Sequence, residues 1–275
     1  SDASIGKVIL LISTHPDDES CGAPATQQLL RDAGWRIINF TCSLGRAGQY
    51  ERRRAELAEA CMRAGLESVI ADPPALIGSK DNLDEAQGFL TGAITKICQT
   101  YHPAIVISSH VHDRHHGHEV VARATRDALS ALAGQEGIKS KDIPRWWMYG
   151  TWGELPYPTL YVPFGQEILD RVLHILSAYV GENERNDYRV LVESSATRNT
   201  IWGSEAIFGF GKGGASDEPY AEVLTELVFA DDVWHEGQHS TLNVAELFKE
   251  PTTISASEWL QELSPQAKRR KRTHI

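Results

Sequence analysis

The chain of 275 residues carries 27 basic and 37 acidic side chains, a formal charge of −10, with 41% hydrophobic residues. That balance disfavours nucleic acid or an anionic membrane as the main partner and suits a neutral or cationic small substrate. The length allows one large domain or two small ones with a sizeable core, and no apolar run approaches the ~20 residues of a membrane span. The first residues lack the charged-then-apolar layout of a signal peptide. Cys21, Cys42, Cys61 and Cys98 are widely spaced in apolar or helical contexts, so free thiols in a reducing compartment, and a cytoplasmic location, are expected.

Val8, Ile9, Leu10, Leu11 and Ile12 form an unbroken apolar run, which reads as a strand buried on both faces. It stops at His15-Pro16-Asp17-Asp18-Glu19, where Pro16 keeps His15 extended and forces a turn. Acidic turns are common, but this one sits at the C-terminal end of a strand, where open α/β sheets bind ligands. Residues 27–33 read as a helix stopped by Gly34, and 36–42 as a second strand. A loop over 43–48 precedes a helix over 51–64, with Leu57, Ala58, Cys61 and Met62 on its expected buried face. Arg52, Arg53 and Arg54 begin that helix, a poor place for cations on dipole grounds unless one is aimed at a ligand. Residues 68–71 form an expected third strand, 88–101 a helix, 104–108 a fourth strand, and 118–132 a helix packing through Val121, Ala124, Ala128 and Leu132. A fifth strand over 144–150 carries Trp146 and Trp147, and a helix over 166–179 buries Ile168, Val172, Ile175 and Tyr179.

The alternation of strands and helices predicts a Rossmann-like α/β fold, a doubly wound and mainly parallel sheet with a C-terminal subdomain. The expected division is a catalytic domain over 1–180, a subdomain with substrate loops over 181–250 joined by the polar segment 181–186, and a tail over 251–275. The basic run Lys268-Arg269-Arg270-Lys271-Arg272 is expected to be disordered.

A second polar cluster, His110-Val111-His112-Asp113-Arg114-His115-His116-Gly117-His118, also follows directly on a buried strand. It holds five of the 11 histidines. Core packing explains this poorly, because neutral imidazoles need hydrogen-bond partners and charged ones repel. A metal removes both difficulties. Catalytic zinc sites use three N or O ligands and keep a position for water, whereas structural sites are closed and cysteine-rich. Neither motif itself supplies a thiol, so an open catalytic site is favoured. His15 and Asp18 can turn to one point, leaving Asp17 to act on water as general base. A second histidine one helical turn from the ligand can serve the oxyanion or the leaving amine.

With these two motifs in this order, the chain resembles the PIG-L, or LmbE-like, zinc-dependent de-N-acetylases over roughly residues 7–135. The loop 41–48 and the stretch Arg53-Arg54-Ala55-Glu56 look like the family's glycine-containing loop and Arg-x-x-Glu helix. The resemblance implies His15, Asp18 and His118 as ligands of Zn²⁺ or another divalent metal, Asp17 as catalytic base and His115 as the group that stabilises the tetrahedral intermediate or protonates the amine. It implies substrate contacts from Arg53, with Arg46 and Asp81 as further candidates. The expected substrate is a small N-acetylated amino sugar or glycoside, with no nucleic acid or membrane partner; a homo-oligomer is compatible. Where the family commonly has His-Pro-Asp-His, this chain has His115-His116-Gly117-His118, so the ligand histidine lacks the usual carboxylate beside it and His116 is a rival ligand. His110 and His112 read as structural or solvent-facing.

Three other readings stand beside this one. His235-Glu236-Gly237-Gln238-His239 matches the His-Glu-x-x-His pattern of metalloproteases, which requires a helix that Gly237 disfavours. A sugar-conjugate amidase, or a sugar-binding protein that kept metal without catalysis, would carry the same clusters. Gly209-Phe210-Gly211-Lys212-Gly213-Gly214 matches a dinucleotide motif by letter, but follows a helix-like segment and reads better as a loop. Trp146, Trp147, Trp152, Tyr157 and Tyr161 are core rings by default and a wall for a sugar face in the functional reading.

Overall fold

The computed structural model describes residues 7–78, 82–212, 214–231 and 233–247. Asp81 and the basic run 268–272 lie outside the described residues. Strand β1 (Val8–Ser13) is the centre of the sheet. It pairs in parallel with β2 (Arg36–Thr41) on one side and β4 (Ile105–Ser109) on the other. Beyond β2 lies β3 (Glu67–Ile70), and beyond β4 lies β5 (Arg145–Tyr149), both parallel. The order β3-β2-β1-β4-β5 is that of a doubly wound sheet, with its switch point between β1 and β4.

The unbroken apolar strands are explained by burial on both faces. Leu10 and Ile12 join Ile38, Phe40 and Val106 in one core, whereas Ile9 and Leu11 join Ile37, Ile105 and Ile107 in the other. Strand parity alone therefore sorts the side chains into two layers. The first layer is closed by α4 (Leu83–Tyr101) and α5 (His116–Ala133), through Leu90, Ile94, Val121, Ala124, Ala128 and Leu132. The second is closed by α2 (Pro24–Asp32), α3 (Tyr50–Ala64), α6 (Gln166–Leu176) and α8 (Tyr188–Asn199), through Leu30, Leu57, Cys61, Ile168, Val172 and Val192.

Helix α3 differs from its expected facing. Leu57 and Cys61 are buried with Ala60 and Ala64, whereas Ala58 is exposed and Met62 is 67% exposed. The buried stripe continues towards the N-terminus through Arg53 and Glu56. Those charges face inward because they have ion-pair partners, and that rotates the helix away from the purely apolar stripe.

The segment 181–186, expected to be a link, falls largely within α7 (Val180–Arg185). Residues 181–250 also contribute α9 (Trp202–Phe208), β7 (Tyr220–Ala230), β8 (Val233–Glu236) and β9 (Ser240–Thr241). Strand β7 runs antiparallel between β5 and β6 (Leu160–Phe164), so it is part of the same sheet. Trp147 pairs with Glu226 across that junction, and its indole N–H donates to Glu226 Oε2 at 2.7 Å. Trp146, Trp147 and Tyr161 are core residues, whereas Trp152 and Tyr157 are 45% and 48% exposed.

Gly22 closes the corner after the short helix α1 (Asp18–Cys21), against the ring of Tyr149 at the end of β5. A Cβ there would collide with the Tyr149 ring, so Gly22→Ala forces the corner off β5. The variant is expected to lose about 1–3 kcal/mol of stability, read as a lowered urea midpoint. An unchanged midpoint would show that the corner is not held by this contact.

Candidate active site

The first functional segment leaves the C-terminal end of β1 and turns at once into α1. Asp18 Oδ2 accepts from the His15 backbone N–H at 2.6 Å, which closes the turn and fixes the Asp18 side chain beneath His15. Asp17 occupies the left-handed region, φ 110° and ψ −26°, which for a non-glycine residue costs about 1–3 kcal/mol and persists only when its surroundings enforce it. Glu19 does so here. It is buried, and its Oε2 accepts from the Asp17 N–H at 3.1 Å. Its Oε1 accepts from Ser20 Oγ at 2.7 Å and from Tyr179 Oη at 2.5 Å. The base candidate is thus held from behind by Glu19, which is itself held by Tyr179, 160 positions further on.

The second segment leaves the adjacent β4, and α5 starts at His116. Donor atoms of His15, Asp18 and His118 all lie within 4.8 Å of one another, the only such group of three among the described residues. His118 Nε2 is 3.1 Å from Asp18 Oδ1, and His15 Nδ1 is 3.7 Å from Asp18 Oδ2. His116 is not in this group; its ring stacks on His115 at 4.9 Å. His115 lines the pocket, its ring 4.8 Å from His118 and 5.6 Å from His15.

The carboxylate missing from the middle of the second motif is supplied by Asp113, a role the sequence reading did not assign. Its Oδ2 lies 2.7 Å from His118 Nδ1, so Nδ1 carries a proton and Nε2 is presented to Asp18. Its Oδ1 accepts from the backbone N–H groups of Thr151, Trp152 and Gly153 at 2.8–2.9 Å, and His110 Nε2 stands 3.3 Å away. His110 is buried and supports Asp113, whereas His112 is exposed. The available signal was spacing: an aspartate five residues before the candidate ligand His118, in a motif lacking its usual carboxylate.

Three consecutive buried acids have different ionisation. Burial opposes a charged Asp18, but His118 and His15 outweigh it and hold the group down at about 2. Burial and the neighbouring Asp18 push Asp17 well above the usual carboxylate range, against Arg53 3.9 Å away. Burial also raises Glu19. Burial lowers His15 to about 3, and lowers His115 together with His118. For His118 burial again works against the charge, yet Asp18 and Asp113 prevail and push it up to about 10.

Arg53 is buried beside Asp17, donates to Leu44 O and pairs with Glu182 at 3.0 Å. Gly45, at φ +76°, lets it pass: a Cβ there would meet Arg53 Nη1 at 2.6 Å. Glu182 also accepts from Arg52 and Arg185, tying α3 to α7. Arg54 and Arg46 are exposed, and Arg46 sits on the pocket lining. The pocket has a volume of about 610 Å³ and includes His15, Asp17, Asp18, Arg53, His115, His118, Trp152 and Tyr188.

The rival motif is overturned by the fold. His235 lies in β8, a strand, and its Nε2 faces Ala230 O at 3.1 Å. His239 is occupied by Ile207 O at 2.8 Å and Glu236 at 3.1 Å. The glycine-rich stretch from Gly209 follows helix α9 and has no strand before it. Glu222, on β7, accepts from the backbone N–H groups of Ala25 and Thr26 and so caps α2.

Two histidine nitrogens and a carboxylate converge on one wall of an open pocket, with a second carboxylate orienting one imidazole. This donor set and outer contact fit a catalytic divalent cation. The class defined is a doubly wound α/β protein with a metal-competent site at its switch point. Residues 10–129 match the family model described as PIG-L: GlcNAc-PI de-N-acetylase. A probable N-acetyl-alpha-D-glucosaminyl L-malate deacetylase 2 of Bacillus cereus is 27% identical over 147 residues, covering 46% of this chain and 63% of the relative. The chain thus spans somewhat less than two thirds of that curated relative. Among solved structures, the zinc-inhibited form of teicoplanin deacetylase Orf2 is similar at TM-score 0.58 and 16% identity, covering 82% of this chain and 99% of the other. The 4-carboxy-2-hydroxymuconate hydratase GalB of Pseudomonas putida KT2440 is similar at TM-score 0.57 and 16% identity, covering 80% and 95%. These two likenesses show the shared fold.

Two outcomes follow for cation binding. Asp18 and His15 already sit in their binding forms near neutral pH, whereas His118 must release a proton. Zinc affinity is therefore expected to rise about tenfold per pH unit between pH 6.5 and 8.5, measured by chelator competition; a flat profile would remove His118 as a ligand. Asp113→Ala is expected to weaken zinc about 10–100-fold in the same assay, and an unchanged affinity would show that Asp113 does not orient the ligand.

Proposed function

We propose that this protein removes the acetyl group from a small N-acetylated amino sugar or glycoside, releasing acetate, with Zn²⁺ as the cation. The observation that carries the reading is the placement of Asp17 beside His15, Asp18 and His118 in one pocket, with His115 on the adjoining wall. The family-model match over the stretch carrying both motifs supports the same chemistry. A divalent cation held by His15, Asp18 and His118 would supply Lewis acidity to the acetamide carbonyl and to the attacking water.

Asp17 takes the water's proton. Burial raises its pKa, so the carboxylate, once ionised, is a stronger base than an exposed one. Glu19 and Tyr179 hold its backbone, so the carboxylate is fixed before substrate arrives. His115 is held neutral by burial, and its ring N–H donates to the developing oxyanion. Collapse of the tetrahedral carbon breaks the C–N bond, and the proton gathered by Asp17 passes to the amine. Arg53, between Asp17 and Glu182, orders the loop 43–48 and offers a guanidinium to substrate hydroxyls. We place the reaction in the cytoplasm, a reading supported by four free cysteines. Among the described residues no helix is long and apolar enough to cross a membrane.

Asp17→Asn is expected to keep its metal and lose about 10²–10⁴-fold in turnover. Acetate release and elemental analysis on the same preparation test this, and a variant as active as the parent removes Asp17 as the base.

A further inference from the structure

Of the three histidines in the stretch 115–118, His116 alone has no part in the chemistry above. It stands outside the group of converging donor atoms. Its Nε2 is enclosed, and its ring makes no hydrogen bond among the described residues. Burying a ring nitrogen without a partner is unfavourable, so the side chain needs another reason to lie where it does. What it offers is a flat face. The rings of His115 and His116 are inclined by only 14°, with centroids 4.9 Å apart, which is stacking contact.

His115 has need of such a contact. It stands immediately before α5 in extended backbone, φ −111° and ψ 117°, and its carbonyl oxygen accepts from the Glu119 N–H at 3.0 Å. The helix therefore fixes its main chain and leaves its ring free to turn. Asp113 aims His118 by a hydrogen bond, but the His115 ring makes none among the described residues. His15 and His118 meet it edge-on, at 88° and 62°, so His116 supplies its only face-to-face ring contact among those residues. Gly117 closes in on its edge: a Cβ there would stand 3.2 Å from both His115 Cε1 and Thr14 Cγ2. The two residues that depart from the family's usual motif, His116 and Gly117, are thus the two that confine this ring. The enclosed Nδ1 of His115 decides the tautomer. A proton there would be a buried donor with no acceptor, so the neutral ring carries its proton on Nε2, the nitrogen left for the pocket that His115 lines.

We propose that His116 is a positioning residue: its ring, stacked on His115, holds the Nε2–H of that side chain towards the reaction pocket in place of a hydrogen bond. The proposal rests on the de-N-acetylase reading for what His115 does, and on the stack alone for how His115 is held. A stacked aromatic pair corresponds to about tenfold when its orienting effect is felt only in the chemical step.

The test compares the zinc-loaded parent with His116→Ala, which removes the face, and His116→Phe, which keeps a face but no ring nitrogen. With methyl N-acetylglucosaminide as substrate, His116→Ala is expected to lose about tenfold in kcat for acetate release, while KM and bound zinc stay within about twofold. His116→Phe should recover kcat to within about twofold of the parent. Equal loss in both variants, loss in neither, or zinc lost from His116→Ala overturns the proposal. Nitrogen NMR of the imidazoles gives a reading that does not depend on turnover. His115 is expected as a single Nε2–H tautomer in the parent and in His116→Phe, and as a mixture of tautomers in His116→Ala. A parent that releases no acetate defeats the de-N-acetylase reading, and the spectra then judge the stack. The expected pattern supports it, whereas a mixture in the parent, or a His116→Ala spectrum like the parent's, overturns it.

Discussion

A fully buried carboxylate is among the costliest groups a fold can hold unless its oxygens are satisfied, and Asp113 is fully buried. Both of its oxygens are used. One meets the His118 imidazole; the other takes three consecutive backbone amides, with His110 nearby. Burial would raise its pKa, but His110 and His118 hold it well below the ordinary carboxylate value. The charge that orients the candidate ligand thus also fixes the loop after β5. The reaction pocket has its histidine from β4 and its aromatic wall from beyond β5 in constant relation because one side chain holds both.

The same economy appears at the end of β1. Asp17, Asp18 and Glu19 are adjacent, buried and alike in chemistry, and left to themselves they would repel. Each faces a different partner: Asp18 two imidazoles, Asp17 the guanidinium of Arg53, and Glu19 the hydroxyls of Ser20 and Tyr179. Environment separates three carboxyl groups into a candidate ligand, a candidate proton acceptor and a backbone anchor, and so gives one short segment carboxyl groups of different proton affinity.

The parallel core was legible because its information is local. The apolar run at Val8–Ile12, the stop at His15-Pro16 and the three- and four-residue spacing from Val121 to Leu132 are each read within one short segment. The two motifs were legible for the same reason. What lay beyond reach depended on distant partners. Arg53 faces inward because Glu182, 129 residues on, neutralises it, and nothing near α3 announces that. Tyr179 was expected on a buried helix face, and it is buried, but its hydroxyl's service to Glu19 has no sequence signal. Asp113 was on the page within the second cluster, and its role awaited only the question of which carboxylate replaces the one lacking between His115 and His118. Gly237 already argued against the helix that the His235 motif requires, and the strand found there scatters the residues that a helix would gather.

The insertion of β7 between β5 and β6 has a consequence for how the chain reaches its native state. As it emerges from the N-terminus, the parallel strands can assemble in turn up to β5, whose outer edge then remains unpaired while Trp147 waits for Glu226, 79 residues later. Strand β6 is in the same position, since its antiparallel partner is also β7. Closing that gap is a long-range event with a substantial loop-closure entropy. Until it occurs, an aromatic-rich edge stands open to other strands. The ring wall built on Asp113 begins directly after this edge, so the reaction pocket acquires its final shape only when nearly the whole described chain has been made.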